Sequence, residues 1–499
     1  MKVVSGNHAP DPIATLIYWL GITHVGNMAS LPAWVLKHKG KGVAVERRGD
    51  RYYASRVRSV WDPDKGRAKK ITVEYLGTIT QEGIVPPKHK QPARVSGILE
   101  AGNIAFLDRF AKNLAKPLAE YWPYSWQSIL AAGVLKLAYR EPLKSLQFRY
   151  ETSLASRLWP EAALSKNSLT SLLEHLGREW DSQRSFFEFL SRAESHMAID
   201  LTQVFSDSRN INWLEKGYNA KGLWHDQLQL LLIWGVDTHR PGFLKLLPGA
   251  VASARSLVNA IMESRLRNVV LVGDKAFFST ANVSFMEDAG VHYCLALARD
   301  LHFIEYVPAS RYRSYFMYRK RPQWFRSYAW RGRTIHIYLD KVLAGEEEAA
   351  FLERVEAGKA TMQEYNAVKH RFGTLALLTD TGMDAREAYE LYRQRREIED
   401  AFDALKNTLE GDKTWMQSRE SLQGYFFLLF IALHLYSQVL DHLRRKELLG
   451  EYSVHDVLAH LSKVYVVNVN GRDVVGEVSR QTQKVIDKVE VPITENLGS

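Results

Sequence analysis

Three acidic residues in this 499-residue chain stand where a carboxylate is costly to keep. Asp200 interrupts an apolar run in "AIDLT", and Asp274 closes another in "VVLVGD". A charged group on a buried strand carries a large desolvation cost unless it is paired or binds a cation. A strand-end turn, a capping aspartate or a buried salt bridge would explain either residue in the ordinary way. Asp207, in "FSDSRN", is the rival to Asp200 and reads better as a turn residue. Acidic groups at the carboxyl ends of strands often face the functional edge of an α/β sheet. Gly273 is read as letting the backbone turn just before Asp274.

The third acid is Glu399, in "YRQRREIEDAFDALK", residues 392–406. At 100° per residue, Tyr392, Arg395, Glu399 and Lys406 fall within about a 60° arc of one helix. Leu391, Ile398, Phe402, Leu405 and Leu409 form an adjoining apolar stripe, so that polar face is expected at a half-desolvated rim. Glu397 and Asp400 are expected on the far side as surface charge, and Asp403 is free to pair with Lys406. Taken alone, a network of i,i+4 ion pairs accounts for these charges equally well.

Taken together, the acids suggest more. Two carboxylates on neighbouring strands and one on a helix beside them could converge on two divalent cations ~4 Å apart, activating a water or a 3′-hydroxyl against a phosphodiester. Arg395 and Lys406 would then grip the same backbone. The one cysteine, Cys294 in "VHYCLALA", excludes an intramolecular disulfide and any cysteine-based zinc site, and reads as a buried strand residue. Carboxylate oxygens suit magnesium, with manganese as its substitute.

The elements around these residues must supply that convergence. From about 196, strands and helices alternate: "SHMAIDLTQVF", then "LQLLLIWG" and "GFLKLLPG" joined by "VDTHRP" as a hairpin, the helix "ARSLVNAIMESRL", the strand "NVVLVGD", a helix and "VHYCLALA". Three strands followed by helix–strand–helix–strand predict a ribonuclease-H-like mixed sheet over 196–440. Residues 300–372 interrupt it as a β-rich insertion. A strand, "GTLALLTD", and one long helix from near Asp384 follow.

Upstream, residues 1–97 read as a β-rich module, with "RYYASRVRSV" and "KKITVEYLG" flanking the turn "WDPDKGR". Basic residues at 47, 48, 51, 56, 58, 67, 69 and 70 suit either an ordinary solvated hairpin or contact with a phosphate backbone. "PPKHKQPARV", 86–95, reads as a linker. Residues 98–195 read as helical from "ILEAGNIAFLDRFAKNLAKPLAEYW" onward, with Ser165 as an N-cap. They are either a helix-turn-helix-like reader of a DNA end or a plain bundle. Residues 441–499 form a helical and strand region that could serve dimerisation.

The net charge of +10 and the 46% hydrophobic content argue for a folded protein with a polyanionic partner. "YFFLLFIALHLYSQVL", 425–440, is read as a core helix, because it is short for a span and holds His434 and Gln438. No secretory signal is expected, and neither is a membrane association.

Tyr392, Arg395, Glu399 and Lys406 match the Y-x2-R-x3-E-x6-K signature, so the chain resembles DDE transposases of the insertion-sequence "four" superfamily, related to the transposon-five enzyme. Asp200 in "IDLT" and Asp274 in "VGDKAFF" resemble the first and second acidic motifs. Lys275 and Ala276 depart from the common Asp-Arg/Gly-Gly-Phe form. The resemblance covers about 196–440 and implies catalytic, metal-binding roles for Asp200, Asp274 and Glu399, with two Mg2+ ions (or Mn2+) per site. It implies DNA contacts by Tyr392, Arg395 and Lys406, nicking at terminal inverted repeats, a hairpin intermediate, strand transfer into target DNA and a homodimer in the synaptic complex.

The segment "RYRSYFMYRKRPQWFRSYAWRGR", 311–333, interleaves bases with rings and has no acid. Arg319, Lys320, Arg321 and Arg326 are candidate phosphate contacts. The resemblance implies that a tryptophan of this insertion stabilises a flipped base, with Trp324 and Trp330 as the candidates. A hairpin whose rings pack on the core is the plain alternative. A prokaryotic cytoplasmic protein, nucleoid-associated on DNA, is expected. A ribonuclease-H-like nuclease of recombination or repair and a domesticated DNA-binding protein without cleavage are the competing functions.

Overall fold

The computed structural model describes residues 31–63, 65–87, 95–218, 222, 224–249 and 254–490, with the side chains of 254–257 set aside. The first thirty residues, and most of the linker expected at 86–95, lie outside the described residues. The chain divides into two compact units, the first ending at Arg94 and the second beginning at Val95.

The first unit is an antiparallel meander of β1 (Val43–Arg48), β2 (Arg51–Asp62), β3 (Arg67–Thr80) and β4 (Gly83–Val85), in that spatial order. Its core is small: Val35, Ala54 and Ile79 are buried, with Trp34, Tyr52 and Leu76 packed against them.

The second unit opens with β5 (Val95–Glu100), followed by helices α1 (Gly102–Tyr121), α2 (Trp126–Tyr139), α3 (Lys166–Arg178) and α4 (Trp180–Ser191). The expected helix from Ile98 is corrected here, since the helix begins at Gly102. The apolar pair Ile98–Leu99 continues the helical spacing, but a partner far along the chain claims it as strand. Ser165 does cap α3, its Oγ accepting from the Ser168 N–H.

The main sheet follows. Its strands are β6 (His196–Ser206), β7 (Glu215–Tyr218), β8 (Trp224–Gly235), β9 (Arg240–Leu247), β10 (Val270–Gly273), β11 (His292–Ala296), β12 (Ser314–Tyr318), β13 (Arg321–Trp330), β14 (Arg333–Leu339), β15 (Thr374–Thr379) and β16 (Lys413–Thr414). The centre runs β9-β8-β6-β10-β11, with β6, β8 and β9 antiparallel and β6, β10 and β11 parallel. Three antiparallel strands followed by parallel ones are consistent with the ribonuclease-H-like order. Helices α5 (Ala254–Ser264) and α6 (Thr280–Asp288) make the crossovers. The β-rich segment is continuous with the sheet: β15 pairs with β11, and β14, β13 and β12 extend outward from it. Helix α7 (Lys341–Glu356) precedes β15.

The long helix expected from Asp384 is instead broken. Helix α8 (Ala385–Gln394) ends at Arg395, α9 (Arg396–Asp403) restarts, and residues 404–408 make a π-helical turn. After β16 comes α10 (Arg419–Arg445), long and apolar enough to cross a membrane by length and composition, but mostly buried inside the protein. Two glycines let α3 and α10 cross almost backbone to backbone. A Cβ at Gly177 would lie 1.9 Å from the Glu420 carbonyl, and one at Gly424 2.0 Å from that of Leu173. Helices α11 (Val454–Leu461) and α12 (Arg480–Val489) flank β17 (Tyr465–Val469) and β18 (Arg472–Val475). A three-stranded sheet, β18-β17-β5, joins the end of this unit to its beginning.

Candidate active site

The register of the central strands sets the first two acids side by side. Ile199 of β6 pairs with Gly273 of β10 in parallel, and each is followed by its aspartate, Asp200 or Asp274. Gly273 has a different role from the one expected. Its φ is not in the left-handed region. Its need is space: a Cβ would stand 2.9 Å from Leu295 and 3.1 Å from Phe277. That close approach lets Lys275–Phe277 form a 3-10 turn directly after the strand, capped by Asp274 Oδ1, which accepts from the Lys275 N–H at 2.7 Å.

Arg395 draws the site together. Its Nη1 donates to Asp200 Oδ2 at 2.9 Å, and its Nη2 donates to Glu399 Oε1 at 2.7 Å. Arg395 stands at the break between α8 and α9. The Arg395 N–H bonds to Tyr392 O, and the Ile398 N–H to Arg395 O, each three residues back. Such tight turns wind faster than 100° per residue, so the uniform wheel does not describe this stretch. The π turn then rotates the chain the other way. Lys406 lies within it, half-buried. Tyr392 is half-buried, with the Arg395 guanidinium 5.7 Å from its ring centre.

Charge is concentrated here. Burial pushes the Asp200 carboxyl above the usual range; the Leu201 N–H and Arg395 oppose this, and the charges of Asp274 and Glu399 reinforce it. Burial works against the Arg395 cation, but Tyr392, Asp200, Glu399 and Asp274 together more than offset it and hold Arg395 above its usual value. Burial, then the charge of Asp274, raises Tyr392. The Asp200 side chain is 22% exposed and that of Arg395 only 14%, whereas Glu399, held by Arg395, is 52% exposed. The three acids supply only oxygen donors, which suits magnesium or manganese. Among the described residues, no three acidic, histidine or cysteine side chains already stand close enough to hold an ion. The guanidinium occupies the space between two of the acids.

Beside the carboxylates opens a cleft of about 750 Å³, walled by Asp274, Tyr392, Tyr389, Tyr338 and Gln323. Lys275, Arg299, Arg321, Arg371 and Arg393 also face it. Of these cations only Arg321 was expected. The others come from four separate segments, and no local pattern marks them.

The remaining candidates divide. Arg319 and Lys320 form the β12–β13 turn, exposed and both in the left-handed region. Arg326 is tied to the Glu305 carbonyl and carboxylate, so its charge is used within the protein. The Trp330 ring stacks on Phe303 at 4.4 Å, and the Lys341 ammonium lies 4.1 Å from the centre of the half-buried Trp324. Neither tryptophan is among the residues lining the cleft.

Glu397 departs from the expectation of surface charge. It is half-buried, and its Oε2 accepts from Trp234 Nε1 at 3.3 Å and meets His239 Nδ1 at 2.7 Å. His239 itself holds a left-handed backbone, φ 58°, in the β8–β9 turn. These bonds pin α9 to the edge of the sheet.

Residues 192–435 match the family described as the transposase DDE domain, a span just under half of the chain that contains all three acids. No curated protein matches this chain. Among solved structures, a synaptic complex of the piggyBac transposase with hairpin DNA is 11% identical, with 79% of each chain covered and a TM-score of 0.36. A paired-end complex of the Mos1 transposase with its left transposon end is 12% identical, covering 42% of this chain and 61% of that one, with a TM-score of 0.15.

Proposed function

We propose that this chain is a DNA transposase of an insertion sequence, cutting at the terminal inverted repeats of its element and joining the freed ends to target DNA. The observation that carries the reading is the match of residues 192–435 to the transposase DDE domain, over the same stretch in which Asp200, Asp274 and Glu399 gather around Arg395. The full Tyr392, Arg395, Glu399 and Lys406 spacing supports placement in the insertion-sequence "four" superfamily, and with it cut-and-paste transfer through a hairpin and a dimer at synapsis.

In this reading, Asp200, Asp274 and Glu399 hold two divalent cations, which when bound supply Lewis acidity and a water of lowered pKa. Asp200 and Asp274 are fixed by neighbouring strands and so define the site's position. Glu399 closes on them when it leaves Arg395. Arg395, released from two carboxylates, offers both arms of its guanidinium to a phosphate, a bidentate contact that lysine does not make. The Tyr392 hydroxyl, kept protonated by burial and by Asp274, donates to a phosphate oxygen. The cations of the cleft other than Arg299, whose charge is paired with Glu347 at 2.9 Å, hold the strand in place and neutralise its charge. The work is done in the cytoplasm, on nucleoid DNA.

The test is Mg2+-dependent nicking of a duplex carrying the repeats that flank the gene. Asp274→Asn and Glu399→Gln should each lower nicking by more than about 100-fold. Cleavage by Glu399→Gln at the wild-type rate would show that the site is misassigned. Degradation without joining would favour a ribonuclease-H-like nuclease. End binding with no metal-dependent cleavage would favour a DNA-binding protein.

A further inference from the structure

The first unit contains a structure that its own fold does not use. Strand β1 covers β2 only from Arg51 to Arg56, and β4 covers β3 only from Thr78 to Thr80. Beyond these points β2 and β3 continue as a two-stranded ribbon, from the pair Val57↔Thr72, where the Val57 N–H still bonds to the Gly42 carbonyl at 2.8 Å, to the pair Asp62↔Arg67. Register shifts at Ala54/Ser55 and at Arg56/Val57 mark the departure. Such bulges bend and re-aim a ribbon.

This two-stranded extension is solvated on both faces. All its described residues are exposed except Val57, Asp62 and Ile71, which are half-buried. Trp61 is 65% exposed. A bare two-stranded ribbon is marginal in water, so a partner is the natural reason to keep one this long. At ~3.3 Å per residue, its six pairs extend roughly 17–20 Å.

The charge names the partner. Arg58, Lys65, Arg67, Lys69 and Lys70 stand against Asp62 and Asp64 in residues 57–72. Cross-strand register places Arg58, Lys69 and Arg67 on one face, with Val60, Ile71 and Asp62. The other face carries Trp61 and Lys70 beside Val57, Ser59, Ala68 and Thr72. No ion pair among the described residues engages these five cations, whereas Arg56, at the base of the ribbon, is spent on Glu74 at 3.4 Å. A positive, twisted ribbon of this size fits the major groove of B-DNA, ~12 Å wide, which admits a two-stranded β-ribbon.

We propose that the β2–β3 ribbon, residues 57–72, is a duplex-DNA-binding element that lies in the major groove. Arg58, Arg67 and Lys69 neutralise phosphates along one wall, and Trp61 and Lys70 meet the other. The proposal rests on the ribbon's own geometry and charge. The transposase reading contributes only the expectation that the duplex is an end of the element.

The experiment uses the full chain and a labelled duplex of about three helical turns, followed by anisotropy across a salt series. Wild type should bind with a steep dependence on salt. Arg58→Glu combined with Lys69→Glu should weaken binding at least tenfold, and Arg58→Gln with Arg67→Gln and Lys69→Gln should flatten the log–log salt slope by about 2–3, at ~0.9 per phosphate. All these sites are exposed, so the variants should unfold at the wild-type temperature. Unchanged affinity and slope in both variants would overturn the proposal. So would tighter binding to an RNA duplex of the same length, or a loss of self-association with DNA binding intact, which would assign the ribbon to a second copy of the chain. Metal-dependent nicking is read separately. If no nicking is seen but the ribbon variants lose duplex binding, the transposase reading fails and this inference stands.

Discussion

Replacing Arg395 with alanine probes the charge balance of the site most directly. The guanidinium contacts Asp200 at 2.9 Å and Glu399 at 2.7 Å, with side-chain exposures of 14% for the arginine and 22% and 52% for the acids. One pair at this separation carries roughly 5–6 kcal/mol of attraction at an effective dielectric of ~20, before desolvation. Burial of the arginine and partial exposure of Glu399 cancel much of that, leaving a net loss of about 2 kcal/mol. The loss should depend on pH. Asp200 is already raised by burial and by Asp274 and Glu399, and without Arg395 it rises further. A carboxyl whose folded value is raised binds its proton more tightly in the folded state, so its penalty is absent at low pH and grows as pH climbs through that folded value. Arg395→Ala should therefore lose more stability at pH 8 than at pH 5, measured by urea unfolding against wild type. Added Mg2+ should restore more stability to the variant than to wild type, because cations replace the missing charge among the carboxylates. Equal stability of the two proteins at pH 8, with equal response to Mg2+, would refute the idea that Arg395 neutralises this cluster.

Three further outcomes follow from the packing. Gly424→Ala should destabilise by about 3 kcal/mol or more, seen as loss of soluble protein or a lowered melting temperature, because the new methyl meets the Leu173 carbonyl at 2.0 Å. Glu397→Ala should cost about 1–3 kcal/mol by leaving the Trp234 indole without its acceptor, and Glu397→Gln should recover part of this in thermal unfolding. Burial, aided by the charge of Arg240, depresses His434 to about 3. Its neutral form is therefore favoured in the folded state, a contribution present above the unfolded value near ~6.5 and lost as pH falls from there toward the folded value. Replacing His434 with glutamine should flatten the acid limb of the stability profile, and an unchanged limb would count against that assignment.

Much of this protein was legible in the order of its residues. Alternation of apolar and polar residues marked β2 and β3, the apolar run marked β10, and the lone acids Asp200 and Asp274 marked themselves by their cost. These are local signals, carried by a few neighbours. The same holds for Ser165, whose hydroxyl reaches only to Ser168, and for Cys294, buried on its strand. The interruption at Arg395 was not legible, since nothing between Tyr392 and Lys406 breaks a helix by composition. Neither was the pairing of β5 with β17, which joins Val466 to Leu99 across most of the chain.

The sequence alone determined which chemical groups are present and which elements carry them. Spacing gave Tyr392, Arg395, Glu399 and Lys406 a common stretch, and the apolar runs gave the two aspartates their strands. Only the tertiary structure decided that Arg395, rather than a more distant base, bridges Asp200 and Glu399. It also decided that Glu397 anchors α9 to Trp234 and His239, and that Lys275, Arg299, Arg371 and Arg393 share one cleft. The reason is distance. A hydrogen bond at 2.9 Å depends on the packing of several elements at once, whereas a strand or a cap depends on its immediate neighbours.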